Sequence, residues 1–279
     1  VDQQALLNWG LPQLRDLPWR HTRDPWAVLV SEVMLQQTQA HRVIPKWHAF
    51  VSAYATPAQC ADAALGDVLE LWLGLGYPRR ARNLQMAAQQ ICALGEFPRT
   101  LDGLLALPGV GAYTARAVLA FAFEIDAAVV DTNIARVYAR VGGVSLTARQ
   151  VQAAADNALP VGYSWEWNQC LMDLGATLCR PLNPACGSCP LEPHCAWRGV
   201  GDDPAIGSAG VSGRQSRFAG SDRQGRGRLM KAIADGPVSA QRLAHAMGWP
   251  DQHERAGRVA ATLVADGLVV LDNQWYRHP

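Results

Sequence analysis

A chain of 279 residues that is 49% hydrophobic can build one large domain or two modest ones around a sizeable core, which excludes wholesale disorder. Its formal net charge of +1 excludes a global basic field, so any contact with nucleic acid must come from local placement of charge. Apart from Lys46 and Lys231 the Lys and Arg positions are all arginine; this suits planar phosphate contacts, although a genome rich in G and C is the simpler source of the bias. The N-terminus lacks the charged and apolar regions of a secretory signal. The longest apolar run, Ala117 to Val130, is broken by Glu124 and Asp126, so no membrane span is expected. Seven cysteines in such a chain point to metal or redox chemistry rather than a disulfide framework.

In chain order, apolar positions at helical spacing predict helices over Val28–Phe50, Leu65–Leu73, Arg80–Leu94, Leu101–Leu107, Ala112–Phe123 and Thr132–Val141. Pro- and Gly-containing breaks separate them, at Thr56-Pro57, Gly74 to Pro78, Pro108-Gly109 and Gly142-Gly143. The segment 199–221, rich in Gly, Ser and Asp, reads as a flexible linker. Beyond it, helices are expected over 222–235, 240–247 (capped by Ser239) and 251–266, then a hairpin of 268–271 and 274–277 around Asp272-Asn273. Three helices and a small hairpin form a winged-helix-like α+β pattern. Arg223, Arg226 and Arg228 give its first helix basic charge, and Trp275 and Tyr276 give its hairpin aromatic surface. DNA contact and simple packing or protein binding both remain open for this domain.

Four cysteines fall in the string Cys179-x6-Cys186-x2-Cys189-x5-Cys195, punctuated by Pro181, Pro184, Pro190 and Pro193. Thiolates at this density suit an iron–sulfur cluster or zinc; a single CxxC pair is fewer than zinc sites usually carry. Cys60, Cys92 and Cys170 lie apart, in segments read as helical. Upstream, Leu107-Pro108-Gly109-Val110-Gly111 ends one helix and opens another, and its glycines allow backbone amides to approach an anion such as a DNA phosphate. Asp131 stands where it can cap the helix that follows, a role compatible with catalysis. Glu32 lies amid Val28, Leu29, Val30, Val33, Met34 and Leu35, surroundings that favour a protonated carboxyl.

The cysteine spacing, the Gly109/Gly111 hairpin, Asp131 and the segment Ser31-Glu32-Val33-Met34-Leu35-Gln36-Gln37-Thr38 together resemble the helix–hairpin–helix superfamily of endonuclease III and the adenine glycosylases, over roughly Gln3 to Arg198. The resemblance implies a mainly α, two-lobed glycosylase core. A six-helix module with the hairpin would span 23–130, and an iron–sulfur module 1–22 plus 131–198. The linker 199–221 and the winged-helix-like domain 222–279 follow. It implies a [4Fe-4S] cluster held by Cys179, Cys186, Cys189 and Cys195. It also implies base-excision repair of duplex DNA carrying adenine opposite 8-oxoguanine or guanine, by a monomer in the nucleoid of the cytoplasm.

Within that family Glu32 would be the general acid at adenine N7, and Asp131 would stabilise or capture the oxocarbenium ion, assisted by Tyr113 and Asn133. Arg15, Leu17, Trp19 and Gln169 would line the pocket of the extruded base. Gln37 and Tyr77 would wedge into the stack beside the oxidised guanine, and Thr38 would touch it. Arg79, Arg80 and Arg82 would contact phosphates or stand as solvated helix charge.

Where lyases resembling endonuclease III carry a Schiff-base lysine, this chain has Tyr113, which excludes imine chemistry there and makes the enzyme monofunctional. The rival readings are a pyrimidine glycosylase with lyase activity, disfavoured by Tyr113, and a non-enzymatic iron–sulfur redox sensor on DNA, disfavoured by Glu32 together with Asp131. Departures from the family pattern are Pro78 for a second tyrosine and Thr132 for glycine. Its pyrophosphatase-like C-terminal domain, with a Phe-Ser-His loop that grips 8-oxoguanine, is also replaced by fewer than sixty residues after the linker.

Overall fold

The computed structural model describes residues 1–211 and 217–279. Helices succeed one another along the chain: α1 (Gln3–Gly10), α2 (Pro25–Leu35), α3 (Ala40–Ala53), α4 (Pro57–Asp62), α5 (Leu65–Trp72), α6 (Arg79–Leu94), α7 (Leu101–Leu105), α8 (Ala112–Ala122), α9 (Thr132–Gly142), α10 (Ala148–Ala158), α11 (Ser164–Thr177), α12 (Asp222–Ala234), α13 (Leu243–Ala246) and α14 (His253–Ala265). Strands β1 (Val238–Ser239), β2 (Val270–Asp272) and β3 (Trp275–Arg277) form an antiparallel sheet in the order β1-β3-β2. The fold is mainly helical with a small α+β region at the C-terminal end, as expected. Among the described residues no helix is long and apolar enough to cross a membrane.

Local sequence sets many of the helix ends. Thr56 with Gln59, and Thr147 with Gln150, close reciprocal capping boxes that satisfy the first amides of α4 and α10. Gly143 ends α9 in the left-handed region at φ 68°, where a side chain would be strained and its Cβ would lie 2.8 Å from that of Ala196. The helix expected over Val28–Phe50 is two helices, α2 and α3, with the break at 36–39 and Gln37 at φ 55°. Periodicity does not register this break, whose carbonyls are satisfied by a side chain far away in sequence: Arg80 donates to the carbonyls of Val33, Met34 and Gln36 at 2.8, 3.1 and 2.6 Å.

Contacts divide the chain into two compact units, one of Val1–Glu32, Arg99–Ala106 and Val110–Arg214, the other of Val33–Pro98, Leu107–Gly109 and Gln215–Pro279. This division does not follow the boundaries expected at 22/23 and 130/131. The first unit buries Leu6, Ile134, Val137, Trp167, Leu171 and Leu174 between α1, α9 and α11. In the second, Phe50 and Trp72 meet edge to face at 6.1 Å, and the buried Gln85 amide donates to the carbonyls of Cys60 and Ala63. Its C-terminal region buries Leu229, Met247, Leu263 and Leu268.

Two expectations about the C-terminal third are corrected. Much of the expected flexible linker 199–221 is a packed strap: Ala205 and Ser208 are buried, Asp203 pairs with Arg140 at 2.6 Å, and the Ala209 amide donates to Leu146 at 2.8 Å. Residues 212–216 of that segment lie outside the described residues. The basic face expected on α12 is partly consumed internally, since Arg226 pairs with Asp266 at 2.6 Å and donates to the Thr262 hydroxyl. Tyr276 is buried within the sheet, whereas Trp275 is half exposed.

α1 approaches α11 closely at Gly10, where a Cβ would meet Cys170 Sγ at 2.4 Å. Replacing Gly10 by Ala is expected to cost about 1–3 kcal/mol by overpacking, despite alanine's better helix propensity. Adding Cys170→Ala should recover part of that loss, as read by denaturant midpoints of the single and double variants.

Candidate active site

Asp24 starts α2 by accepting from the amides of Trp26 and Ala27 at 2.7 and 3.1 Å, an anion at the positive end of the helix dipole. Two turns on, the helix carries Glu32 into an apolar interior where it is 3% exposed. Loss of hydration raises its pKa to about 7; a hydrogen bond with Tyr113 lowers it, the charge of Asp131 raises it and that of Arg20 lowers it. Its Oε2 has no hydrogen-bond partner. Tyr113, in the first turn of α8, has its own pKa driven up, by burial first and then by the two carboxylates.

Asp131 caps α9, its Oδ1 accepting from the amides of Asn133 at 2.9 Å and Ile134 at 2.7 Å, and its Oδ2 from Asn133 Nδ2 at 3.1 Å. Burial raises its pKa, while these N–H groups and Arg136 hold it back. Asn133 is itself fixed, accepting from Arg136 Nη2 at 2.8 Å, and α11 presents Gly175 where a Cβ would strike Asn133 Cβ at 2.6 Å. Four expected residues, Glu32, Tyr113, Asp131 and Asn133, therefore stand together in the first unit.

The segment 15–20 is organised by a residue that sequence reasoning missed. Asp173 of α11 accepts from the Arg15 amide at 2.9 Å and Arg15 Nε at 2.6 Å, and from both terminal nitrogens of Arg20 at 2.8 Å. These cations hold its pKa below the usual carboxylate value although it is buried. Arg20 sits inside the very string Arg15–Arg20, but nothing in the string distinguishes it from Arg15, and Asp173 carries no local signal. Leu17 and Trp19 are buried beside them, and Gln169 is buried on α11.

At the hairpin, Gly109 adopts φ 76° and leaves no room for a Cβ, which would lie 2.8 Å from that of Asn83. Gly111 precedes α8 in extended conformation and makes no side-chain cap to that helix. In the second unit, Gln37 and Tyr77 both occupy left-handed backbone, at φ 55° and 48°, and both are exposed. One guanidinium serves both turns. Besides the three carbonyls at 33–36, Arg80 donates to Thr38 Oγ1, Leu75 O and Gly76 O at 3.3, 3.1 and 3.0 Å. Arg80 was expected at phosphates, yet these bonds direct it into the chain; burial lowers its pKa to about 10. Arg79 pairs with Asp266 at 3.5 Å.

The four cysteines of the string line a single cavity with Leu178 and Trp197. Single-turn 3-10 segments at Cys186–Ser188 and Glu192–His194 fold the loop, and amides of Ala196 and Trp197 tie it to α9 at Val141 and Arg140. Among the described residues, no three His, Cys, Asp or Glu groups converge as one metal ion requires. Four soft donors spread round one cavity fit a polynuclear cluster better than a zinc ion.

Fold, hairpin and paired carboxyls define a helix–hairpin–helix DNA glycosylase of base-excision repair. Residues 30–160 match the HhH-GPD superfamily of base excision DNA repair proteins. The sequence is 40% identical over 276 residues to an adenine DNA glycosylase of Mycolicibacterium smegmatis, covering 96% of this chain and 92% of that protein. It is 41% identical over 278 residues to one of Mycobacterium tuberculosis, covering 96% and 90%. It is 39% identical over 227 residues to the human adenine DNA glycosylase, covering 75% and 42%. A thermostable thymine-DNA glycosylase superposes with a TM-score of 0.67 at 31% identity, over 70% of this chain and 94% of that one. Endonuclease III in a non-covalent DNA complex does so with 0.62 at 26% identity, over 69% and 92%. The chain belongs to the adenine DNA glycosylase family.

The raised pKa of Glu32 has a consequence for stability. Between its unfolded value, near 4.5, and about 7, the folded state holds a proton that the unfolded state has released, so stability from this group is lost as pH rises through that window. Glu32→Gln carries no such penalty. Its stability should equal wild type at pH 4 and exceed it above pH 7 by up to about 3 kcal/mol, measured by urea unfolding across the pH range.

Proposed function

We propose that the protein removes adenine from duplex DNA where it is mispaired with 8-oxoguanine or guanine. The observation that carries this reading is a pair of carboxyls with divided tasks: Glu32, neutral to about pH 7 and with one oxygen unpartnered, and Asp131, held by three N–H donors. Glu32 delivers its proton to adenine N7. The base then departs with the electrons of the C1′–N9 bond, leaving an oxocarbenium sugar. The Asp131 carboxylate stabilises that cation or captures C1′, and water finally supplies the hydroxyl of an abasic site while its second proton returns to the Glu32 carboxylate. Tyr113 orients Glu32 through their hydrogen bond. Asn133 keeps the Asp131 carboxylate aimed. Tyr113 offers no amine, so strand cleavage requires added alkali.

On this reading Arg15, Leu17, Trp19 and Gln169 shape the pocket of the extruded adenine. Gln37 and Tyr77 enter the opened base step and Thr38 meets the opposite purine, while the amides beyond Gly109 and Gly111, with Arg79, hold phosphates. The enzyme acts as a monomer on nucleoid DNA. Cys179, Cys186, Cys189 and Cys195 would hold a [4Fe-4S] cluster, their arrangement round one cavity supporting it. When bound, that group supplies four iron–thiolate bonds that close the 179–195 loop. Iron and sulfide analysis of anaerobically purified protein should find both, and Cys186→Ser should lose them and the brown colour; stoichiometric zinc would overturn the assignment.

Single-turnover excision on duplexes with adenine opposite 8-oxoguanine, guanine and cytosine tests the reaction. The rate should fall about tenfold per pH unit above roughly 7 as Glu32 deprotonates. Asp131→Asn should retain duplex binding and lose at least ~10²-fold in rate. Retained excision at pH 9 would refute the acid role of Glu32, and a preference for a pyrimidine substrate would refute the substrate assignment.

A further inference from the structure

Tyr77 occupies left-handed backbone at φ 48°, an arrangement that costs a non-glycine residue energy and persists only where the surroundings impose it. One half of what imposes it is Arg80, whose bonds to Leu75 O and Gly76 O hold the preceding turn and whose guanidinium lies 5.5 Å from the Tyr77 ring. The other half comes from the C-terminal region. Arg223, in the first turn of α12, donates from Nη1 to the Tyr77 hydroxyl at 2.9 Å, and its guanidinium lies 5.9 Å from the same ring. Arg223 is backed in turn by the Phe218 ring at 5.2 Å. The tyrosine, still 37% exposed, is thus gripped by two cations, one at its backbone turn and one at its hydroxyl end.

The grip is firmly founded, because the C-terminal region is fastened to the same unit at other points. Asp266 pairs with Arg79 at 3.5 Å. Gly267 approaches the Arg82 guanidinium so closely that a Cβ there would lie 3.3 Å from Nε. His278 packs on Gly66, where a Cβ would be 3.1 Å away. These contacts place α12 beside the 75–77 turn rather than on a free tether.

We infer that Arg223 is a positioning residue for Tyr77, and that the C-terminal region therefore belongs to the device that opens the base step, with the stacked bases flanking the mispair as its partner. A cation against the ring and a donor on the hydroxyl fix the angle at which the aromatic face is presented, so the ordering cost is met before DNA arrives. The inference rests on the role of Tyr77 proposed above. It assigns the C-terminal region work in base extrusion that does not require a direct contact with the opposite purine.

The test is a double-mutant cycle with Arg223→Ala, Tyr77→Phe and the double variant, all in the full-length protein with melting curves as a check of folding. 2-Aminopurine in place of the target adenine reports extrusion by its fluorescence, and duplex affinity is measured across salt concentrations. Arg223→Ala should slow extrusion about five-fold, the size of one lost cation–π and hydrogen-bond contact; Tyr77→Phe, which keeps the ring contact and loses only the hydroxyl bond, should slow it less, and the double variant should be no slower than Arg223→Ala. Arg223→Lys should recover part of the loss. Independent, multiplying effects would overturn the inference, as would unchanged extrusion in Arg223→Ala. So would a loss of affinity with a shallower salt slope that is the same whether residue 77 is Tyr or Phe, the mark of a plain phosphate contact. Wild-type excision of adenine in the same preparation separates the two readings: if it is absent, the substrate assignment fails, whereas intact excision with an uncoupled cycle fails only the Arg223 inference.

Discussion

A carboxyl group buried without a counter-ion is the constraint on which the rest of the site depends. Glu32 could be paired and ionised if Arg20, the cation whose field reaches it, were available. Arg20 is instead committed to Asp173 through both terminal nitrogens, and Arg15 completes the neutralisation of that carboxylate. Asp173 thereby fixes the 15–20 segment and takes up both terminal nitrogens of Arg20, which acts on Glu32 through its charge alone. Asp131 works in the opposite direction, because its charge disfavours a second carboxylate nearby. Burial raises both carboxyls of the site, but at Asp131 the amides of a helix start, the Asn133 side chain and Arg136 hold the rise back.

Part of this was legible in the sequence, and the reason is locality. Glu32 stands in a run of apolar residues, Asp131 stands before a helix, and the four cysteines declare themselves by spacing within one short loop. What was not legible depends on partners distant in the chain. The end of α2 is bonded by Arg80, Arg20 by Asp173, and the strap at Asp203 by Arg140. No periodicity or composition encodes a pairing of that kind, which is why 199–211 resembles a linker in sequence and packs as part of the first unit.

The arginine bias has a structural use that net charge conceals. Arg80, Arg136 and Arg140 spend their donors on backbone carbonyls of their own chain, at the 33–38 and 75–76 turns, at Thr132 and Gly175, and at Cys179 to Pro181. A planar guanidinium with five donors can hold two irregular turns at once, which an ammonium cannot. At the start of α9, on α11 and in the cysteine loop, these arginines add side-chain bonds to backbone carbonyls of the first unit. The small net charge itself reflects 24 Asp and Glu beside 25 Lys and Arg.

The central claim is that burial keeps Glu32 protonated near neutrality. It is tested most directly by the carbon-13 shift of the Glu32 carboxyl during a pH titration of the protein carrying labelled glutamate, assigned by loss of the resonance in Glu32→Gln. A midpoint near 7 is the predicted result, moving down toward the ordinary carboxylate range when Asp173→Asn releases Arg20. A wild-type midpoint near 4.5, the value of an unperturbed glutamate, would contradict the account.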